Sequence, residues 1–480
     1  MHASPGLTPG PRLLTALAGA QLLVALDFSI IYVALPDIGG SLHFSTIALQ
    51  WIVSAYAIFF AGCLLLGGQL ADAFGPGRIF LAAQLLFAAS SIGAALSDSA
   101  APLIAARVGQ GVAAALLVPA TLGLLSAAYP AGPARDRAVS VWGTTGAVGL
   151  ALGVTAGGGI LAAASWPWIF WINLPITAVC LLAAGRALGP TEGRTHTPVA
   201  TSATFSACVT VVAVVLAFTE LSRSDPSAPV MAASIVTALA AGALLVHSQR
   251  RRRPLVPASL LRVRTLQVAC VVAALYMASF GAEFYLVTLY LQDVRDYSAL
   301  AAGIAFLPLA ATIVVGNTLA GRLAGRIPLS RLLATAFVTG AAGLAVLAVA
   351  VGLHSGYATG ILPGLLLSGL GQGMAFTGMF ITGTRDLPPQ SNSTGSALVT
   401  TAQYTGGSVG LAVLVLLHGE HPATADFTRT FLVTAAVATA AAPLALALLA
   451  RDAHAPTTEQ HPATEQHPTT PSKTRAGGQQ

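Results

Sequence analysis

Apolar stretches of about twenty residues recur along the whole chain, separated by short polar connections. A helix needs about twenty consecutive apolar residues to cross ~30 Å of hydrocarbon. Fourteen stretches reach that length, at 13-35, 47-70, 78-96, 101-127, 138-161, 168-188, 203-221, 229-247, 266-291, 299-320, 332-353, 357-380, 395-417 and 428-449. Barrel strands alternate apolar and polar positions over about ten residues, whereas these stretches are continuous and about twice as long. The pattern therefore predicts an all-α integral membrane protein of 14 transmembrane helices. No connection is long enough to hold a separate folded domain.

Composition leads the same way. Of 480 residues, 8% are charged and 55% hydrophobic, with a mean hydropathy of +0.77. Soluble domains carry about 25% charged residues, so this chain lacks the polar surface that water demands, and its partner is the lipid bilayer. Cys63, Cys180, Cys208 and Cys270 sit inside apolar runs without metal-ligand spacing and read as small core residues. The net charge of +6 is not a nucleic-acid signature, because the chain has one lysine and no basic-aromatic stripe. Walker A, HExxH and GxSxG patterns are absent, which argues against an ATP-driven pump or a hydrolase, so the chain is expected to be no enzyme and to need no cofactor. GLGQG, Gly369 to Gly373, lies inside a span, follows no strand and is read as helix packing.

Arginine placement predicts the orientation. With a cytoplasmic N-terminus, 1-12, the inner loops and termini collect nineteen of the 23 basic residues, among them Arg78, Arg135, Arg137, Arg250 to Arg253, Arg322, Arg326 and Arg331. An even number of spans returns the C-terminus to the cytoplasm. Alanine richness and arginine in place of lysine suggest a high-GC bacterium, hence a bacterial plasma membrane. The first span is too long for a signal peptide and carries Asp27 near its centre. Residues 451-480 contain the polar repeat TEQHPATEQHP and read as a disordered cytoplasmic tail, with His461 and His467 solvated and no metal bound.

An internal duplication organises the spans. GQLADAFGPGR, Gly68 to Arg78, and GRLAGRIPLSR, Gly321 to Arg331, occupy matching loops, so that Gly68, Leu70, Ala71 and Arg78 correspond to Gly321, Leu323, Ala324 and Arg331. Two six-helix halves, 13-190 and 266-450, then flank an inserted helix pair at 203-247. This layout resembles the major facilitator superfamily, and within it the fourteen-span drug:proton antiporter branch of multidrug and antibiotic exporters.

Several segments carry the resemblance. ALDFSIIYVALP, Ala25 to Pro36, is similar to the family's helix-one signature. A mid-membrane carboxylate costs about 2.5–3.5 kcal/mol on the lenient insertion scale, so Asp27 should face the bundle interior, as a functional group or as an interhelical hydrogen-bonding link. Tyr32 stands where the family commonly has Asn. The loop with Gly68, Asp72, Gly75 and Arg78 resembles the cytoplasmic conformational latch, although Ala73 and Pro76 replace basic residues and Gly325 replaces the acid in the second copy. Arg107, Gln110 and Gly111 resemble the RxxQG motif of helix four, whose arginine the family links to proton transfer. The bland alternative for Arg107 is snorkelling to the interface. Gly146, Gly149, Gly153, Gly157 and Gly158 resemble the antiporter glycine motif, with Val154 at its usual proline. Trp166, Trp168 and Trp171 read as outer interfacial anchors.

One more deep acid, Glu283, lies in the ninth span, where the duplication places it about one turn from the level of Asp27. The two acids should approach a central cavity from opposite halves, while Glu220 reads as interfacial. The resemblance implies a proton-gradient-driven exporter of small amphipathic or hydrophobic compounds, acting as a monomer, with Asp27, Glu283 and Arg107 in proton coupling. A metabolite exporter or importer on the same fold is the alternative reading, and a channel or receptor a more distant one.

Overall fold

The computed structural model describes residues 10–42, 46–130, 132–188, 201–221, 227–249, 256–297, 299–388, 391–418 and 424–450. The tail 451-480, Arg194, Arg223 and Arg250 to Arg253 lie outside the described residues. The first half of the chain forms α1 (Pro11–Leu42), α2 (Thr46–Phe74), α3 (Pro76–Ala95), α4 (Ala100–Ala128), α5 (Pro133–Ala163), the short α6 (Trp168–Trp171) and α7 (Asn173–Ala187). A hairpin of α8 (Thr201–Leu221) and α9 (Ala228–Gln249) follows, then a single turn, α10 (Ala258–Leu261). The remainder holds α11 (Arg264–Tyr276), α12 (Ala282–Leu289), α13 (Ala299–Ala305), α14 (Leu307–Leu323), α15 (Leu329–Gly352), α16 (Leu362–Thr384), α17 (Asn392–His418) and α18 (Thr424–Ala450).

Among the described residues, 12 helices are long and apolar enough to cross a membrane, against the fourteen expected. The other two expected spans, 203-221 and 395-417, coincide with α8 and α17. In α8 only Phe205–Val214 qualifies, as a shorter apolar helix. α17 carries hydroxyl and amide side chains along its first half, where Ser393, Thr394, Ser396, Thr400 and Gln403 are buried within the protein.

Helix ends follow local chemistry. Gly75 (φ 93°) and Gly132 (φ 134°) adopt a left-handed backbone that side chains resist, and each is followed by a proline at the first position of α3 or α5. Arg135 donates from Nε to the Tyr129 carbonyl (2.9 Å) and from Nη2 to that of Ser126 (2.7 Å), satisfying the end of α4. Glu220, expected at the interface, is instead buried and accepts a hydrogen bond from the Ser227 amide (2.7 Å), closing the turn from α8 into α9. The expected helix 266-291 is broken by a π-helical turn at Met277–Gly281, immediately before Glu283.

In the first half α1 packs along α5, α2 along α4, and α3 along α4. The second half has matching pairs, α11 with α17, α14 with α16, and α15 with α16. Hydrophobic driving force is absent between helices in lipid, so these pairs depend on close approach. A Cβ on Gly111 would lie 2.5 Å from the Tyr56 carbonyl oxygen of α2, and one on Gly373 would lie 2.7 Å from the Asn317 nitrogen of α14. On α5, Gly149, Gly153 and Gly157 face α1, where a Cβ would stand 2.7 Å from the Leu22 oxygen, 2.6 Å from the Leu26 oxygen and 2.9 Å from Ile30 Cγ1. Gly158 is half-buried. Of the three tryptophans, Trp168 is exposed as expected of an anchor, whereas Trp166 is buried against Phe170 in an edge-on contact at 6.2 Å and belongs to the core.

The glycine face makes a direct prediction. Gly153→Leu overpacks the α1/α5 contact by about 1–3 kcal/mol and lowers the thermal midpoint of the detergent-purified protein, whereas Gly159→Leu, with nothing within 4 Å, leaves it unchanged.

Candidate functional site

Asp27, in the middle of α1, has 0% exposure and meets Arg107 of α4, itself 1% exposed. Arg107 Nη1 donates to Asp27 Oδ2 at 2.7 Å and to Gln110 Oε1 at 2.9 Å, and its Nε donates to the Ile52 carbonyl at 3.1 Å. The guanidinium carbon lies 4.4 Å from the centre of the Tyr56 ring, a cation–π contact. The other carboxylate oxygen, Oδ1, accepts from Gln110 Nε2 (3.0 Å) and Asn173 Nδ2 (2.8 Å), and both amides also donate to Ser91 Oγ, at 3.0 and 3.2 Å. Five helices, α1, α2, α3, α4 and α7, supply this cluster. Arg107 therefore points inward to a partner and does not snorkel.

Such an arrangement answers the cost of burying charge. Moving either ion alone out of water costs several kcal/mol, and only tight pairing with saturated hydrogen bonds offsets it. A proton on Asp27 removes the charge that Arg107 balances, so protonation and the packing of α1 against α4 and α7 are linked.

A second, smaller cluster surrounds Glu283, at 0% exposure. Its Oε2 accepts from Ser368 Oγ and from Gln372 Nε2 (2.9 Å), while Gln372 also donates to Ser368 Oγ (3.0 Å). Oε1 has no hydrogen-bond partner among the described residues. Gln372 and Gly373 of α16 repeat the relation of Gln110 and Gly111 of α4: the glutamine binds the buried acid and the glycine admits the neighbouring backbone. Gly369 stands three residues before Gln372, where Arg107 stands three before Gln110, so this copy holds its acid with neutral donors. GLGQG is thus more than helix packing. Neither acid reaches an open central cavity; each is enclosed within its own set of helices.

The latch residues cross between the two sets. Asp72 accepts at Oδ1 from the Ser393 amide (3.3 Å) and at Oδ2 from the Thr394 amide (2.8 Å), so it caps the start of α17. Gly68 allows that approach, since its Cβ would lie 2.8 Å from the Ser393 oxygen and 3.0 Å from Thr394 Cα. Gly75 makes the corner, and Arg78 is exposed at the start of α3. In the second copy a Cβ on Gly321 would stand 2.6 Å from Ser140 Cβ of α5, and Ser140 Oγ donates to the Asn317 carbonyl (2.8 Å). Nearby, Trp142 stacks on Phe376 (5.8 Å) and meets Phe380 edge-on (5.2 Å). The two halves are closed against each other at the ends that carry the arginine-rich loops.

The family model described as Major Facilitator Superfamily matches residues 17–411. The chain belongs to that superfamily. Its members are transporters, and this is a multi-pass membrane protein of that fold. Among its relatives is the puromycin resistance protein pur8 of Streptomyces alboniger, 34% identical over 413 residues, which span 85% of this chain and 82% of the relative. Another, the cephamycin export protein CmcT of Amycolatopsis lactamdurans, is 33% identical over 407 residues, 84% of this chain and 83% of the relative. Among solved structures, the human organic anion transporter MFSD10 superposes with a TM-score of 0.65 at 16% identity, covering 91% of this chain and 99% of that one, which is a likeness of fold.

Of the residues the sequence singles out, Asp27, Arg107 and Gln110 come together here, whereas Asn173, Ser91, Tyr56, Ser368 and Gln372 join the two clusters without having been marked by the sequence pattern. Repetition of Gly-Gln-Gly in α4 and α16 is the signal that could have found Gln372.

The ion pair yields a stability test. Arg107→Gln or Asp27→Asn alone leaves its partner unbalanced and costs about 3–5 kcal/mol, while the double variant recovers most of that loss. Thermal midpoints of the four purified proteins measure the coupling.

Proposed function

We propose that this protein exports small amphipathic or hydrophobic compounds, antibiotics among them, in exchange for protons. The observation that carries the reading is the enclosed Asp27–Arg107 pair, a titratable group held in the membrane interior of a transporter. Resistance and export relatives of 33–34% identity supply the substrate class. In this reading the halves 13-190 and 266-450 rock about one another, with the inserted pair 203-247 riding on the first. The protein works as a monomer in the bacterial plasma membrane with both termini cytoplasmic, and the proton gradient replaces any cofactor.

The chemistry follows from the contacts. A proton from outside binds an Asp27 oxygen and neutralises it, which leaves Arg107 with Gln110 Oε1, the Ile52 carbonyl and the Tyr56 ring as its remaining partners. Asp27 then no longer ties α1 to α4 by charge, and the smooth glycine face of α5 lets α1 shift. Glu283 takes the part of a second protonation site in the other half, with Gln372 and Ser368 as donors to its ionised form. Asp72, Gly68, Gly75 and Arg78 serve the latch.

Everted vesicles test this with puromycin as the probe. Adding puromycin to energised wild-type vesicles dissipates the pH gradient, and Asp27→Asn and Glu283→Gln reduce gradient-driven uptake about ten-fold or more at equal membrane content. Unaltered transport in both variants refutes the coupling, and uptake that leaves the gradient intact refutes exchange.

A further inference from the structure

We infer that the hollow between α2 and the inserted α8–α9 hairpin is a binding site for the acyl chains of one phospholipid. The hollow has a volume of about 1090 Å³ and is walled by Phe59, Leu66 and Phe74 of α2, Val209 and Leu216 of α8, and Val230 of α9. From Phe59 to Phe74 it follows α2 for roughly 22 Å at 1.5 Å per residue, longer than one leaflet's hydrocarbon of about 15 Å.

Three observations select the occupant. First, water does not fill the hollow. The lining's polar side chains are Ser234, Thr237 and the thiols of Cys63 and Cys208, which hydrogen-bond each other, and a buried water needs two to four polar partners. Second, an empty hollow of this size forfeits dispersion contacts along its whole wall. Third, the outer rim is bilayer-facing: Phe205 is 72% exposed and Val236 and Leu239 of α9 are 64% and 69% exposed, so hydrocarbon lies alongside. Small-molecule sites fix orientation with a few convergent polar groups, whereas the described lining has no charged residue and only two hydroxyls, both on α9. A surface so largely apolar suits acyl chains.

The site has a structural role. α9 packs principally on α8, and α8 in turn on α2 and α17, so the hairpin is attached to the body along one helix. A chain lying in the hollow touches α2, α8 and α9 together. Cys63 and Cys208, which read as core residues in the sequence, meet across this junction.

Native mass spectrometry of the full chain, purified in mild detergent, tests the site. One phospholipid per chain is expected to survive extraction. Ala213→Leu and Ala233→Phe, which fill the hollow, lower its occupancy about five-fold, whereas Leu239→Phe on the open face of α9 does not. A phosphatidylcholine carrying a mid-chain diazirine, photolysed with wild-type protein in nanodiscs, places its adducts on α2 and α8, a readout independent of how the variants fold. Equal lipid occupancy in all variants overturns the inference. So do adducts spread evenly over the bilayer-facing helices, displacement of the retained mass by puromycin, or groove-filling variants that lose a second copy of the chain in place of a lipid.

Discussion

A pair of opposite charges at hydrocarbon depth constrains much of the first half of this protein. Neither Asp27 nor Arg107 is tolerable there alone, and together they are tolerable only with further hydrogen-bonding groups gathered around them. That demand explains why five helices converge on one point. It explains the two amides of Gln110 and Asn173, the hydroxyl of Ser91 and the carbonyl of Ile52, none of which an apolar interior needs for packing. It also explains the glycines of α5, because α1 must lie close enough to carry its carboxylate into the cluster.

The second half repeats the geometry with different electrostatics. Gln372 and Gly373 reproduce the donor and the close contact, yet no arginine accompanies Glu283, and one of its oxygens has no hydrogen-bond partner among the described residues. The two halves share these helix contacts and differ in their charges. The first site pairs its acid with an arginine; the second holds it with neutral donors. The two halves thus surround their buried acids with unlike electrostatics on similar helix contacts.

Much of this was legible in the sequence, for physical reasons. Apolar runs report membrane crossing directly, since lipid leaves helices no alternative, and a charge inside such a run must face inward. Asp27, Arg107 and Glu283 stood out by being intolerable anywhere else. Their neutral partners were not legible, because serine, asparagine and glutamine cost little in a helix and mark no position as special. Asn173 lay hidden beside the tryptophans of an apparent interfacial belt, of which Trp166 is in fact core. The setting of Glu283 was obscured by the π turn at Met277–Gly281, which breaks the 3.6-residue period on which any offset argument relies. α17 was recognised as a span by length, though its polar face serves the protein interior.

Asp72 gives the closed gate a definable strength. It belongs to α2 but caps the amides of α17, so one half of the molecule completes a helix of the other. When the halves part at this end, α17 loses its cap and two backbone donors turn to water. A capping interaction is worth about 1 kcal/mol, which is a factor of about five in a population. That cap is one part of the closure at this end, beside the Ser140–Asn317 hydrogen bond and the Trp142–Phe376 stack.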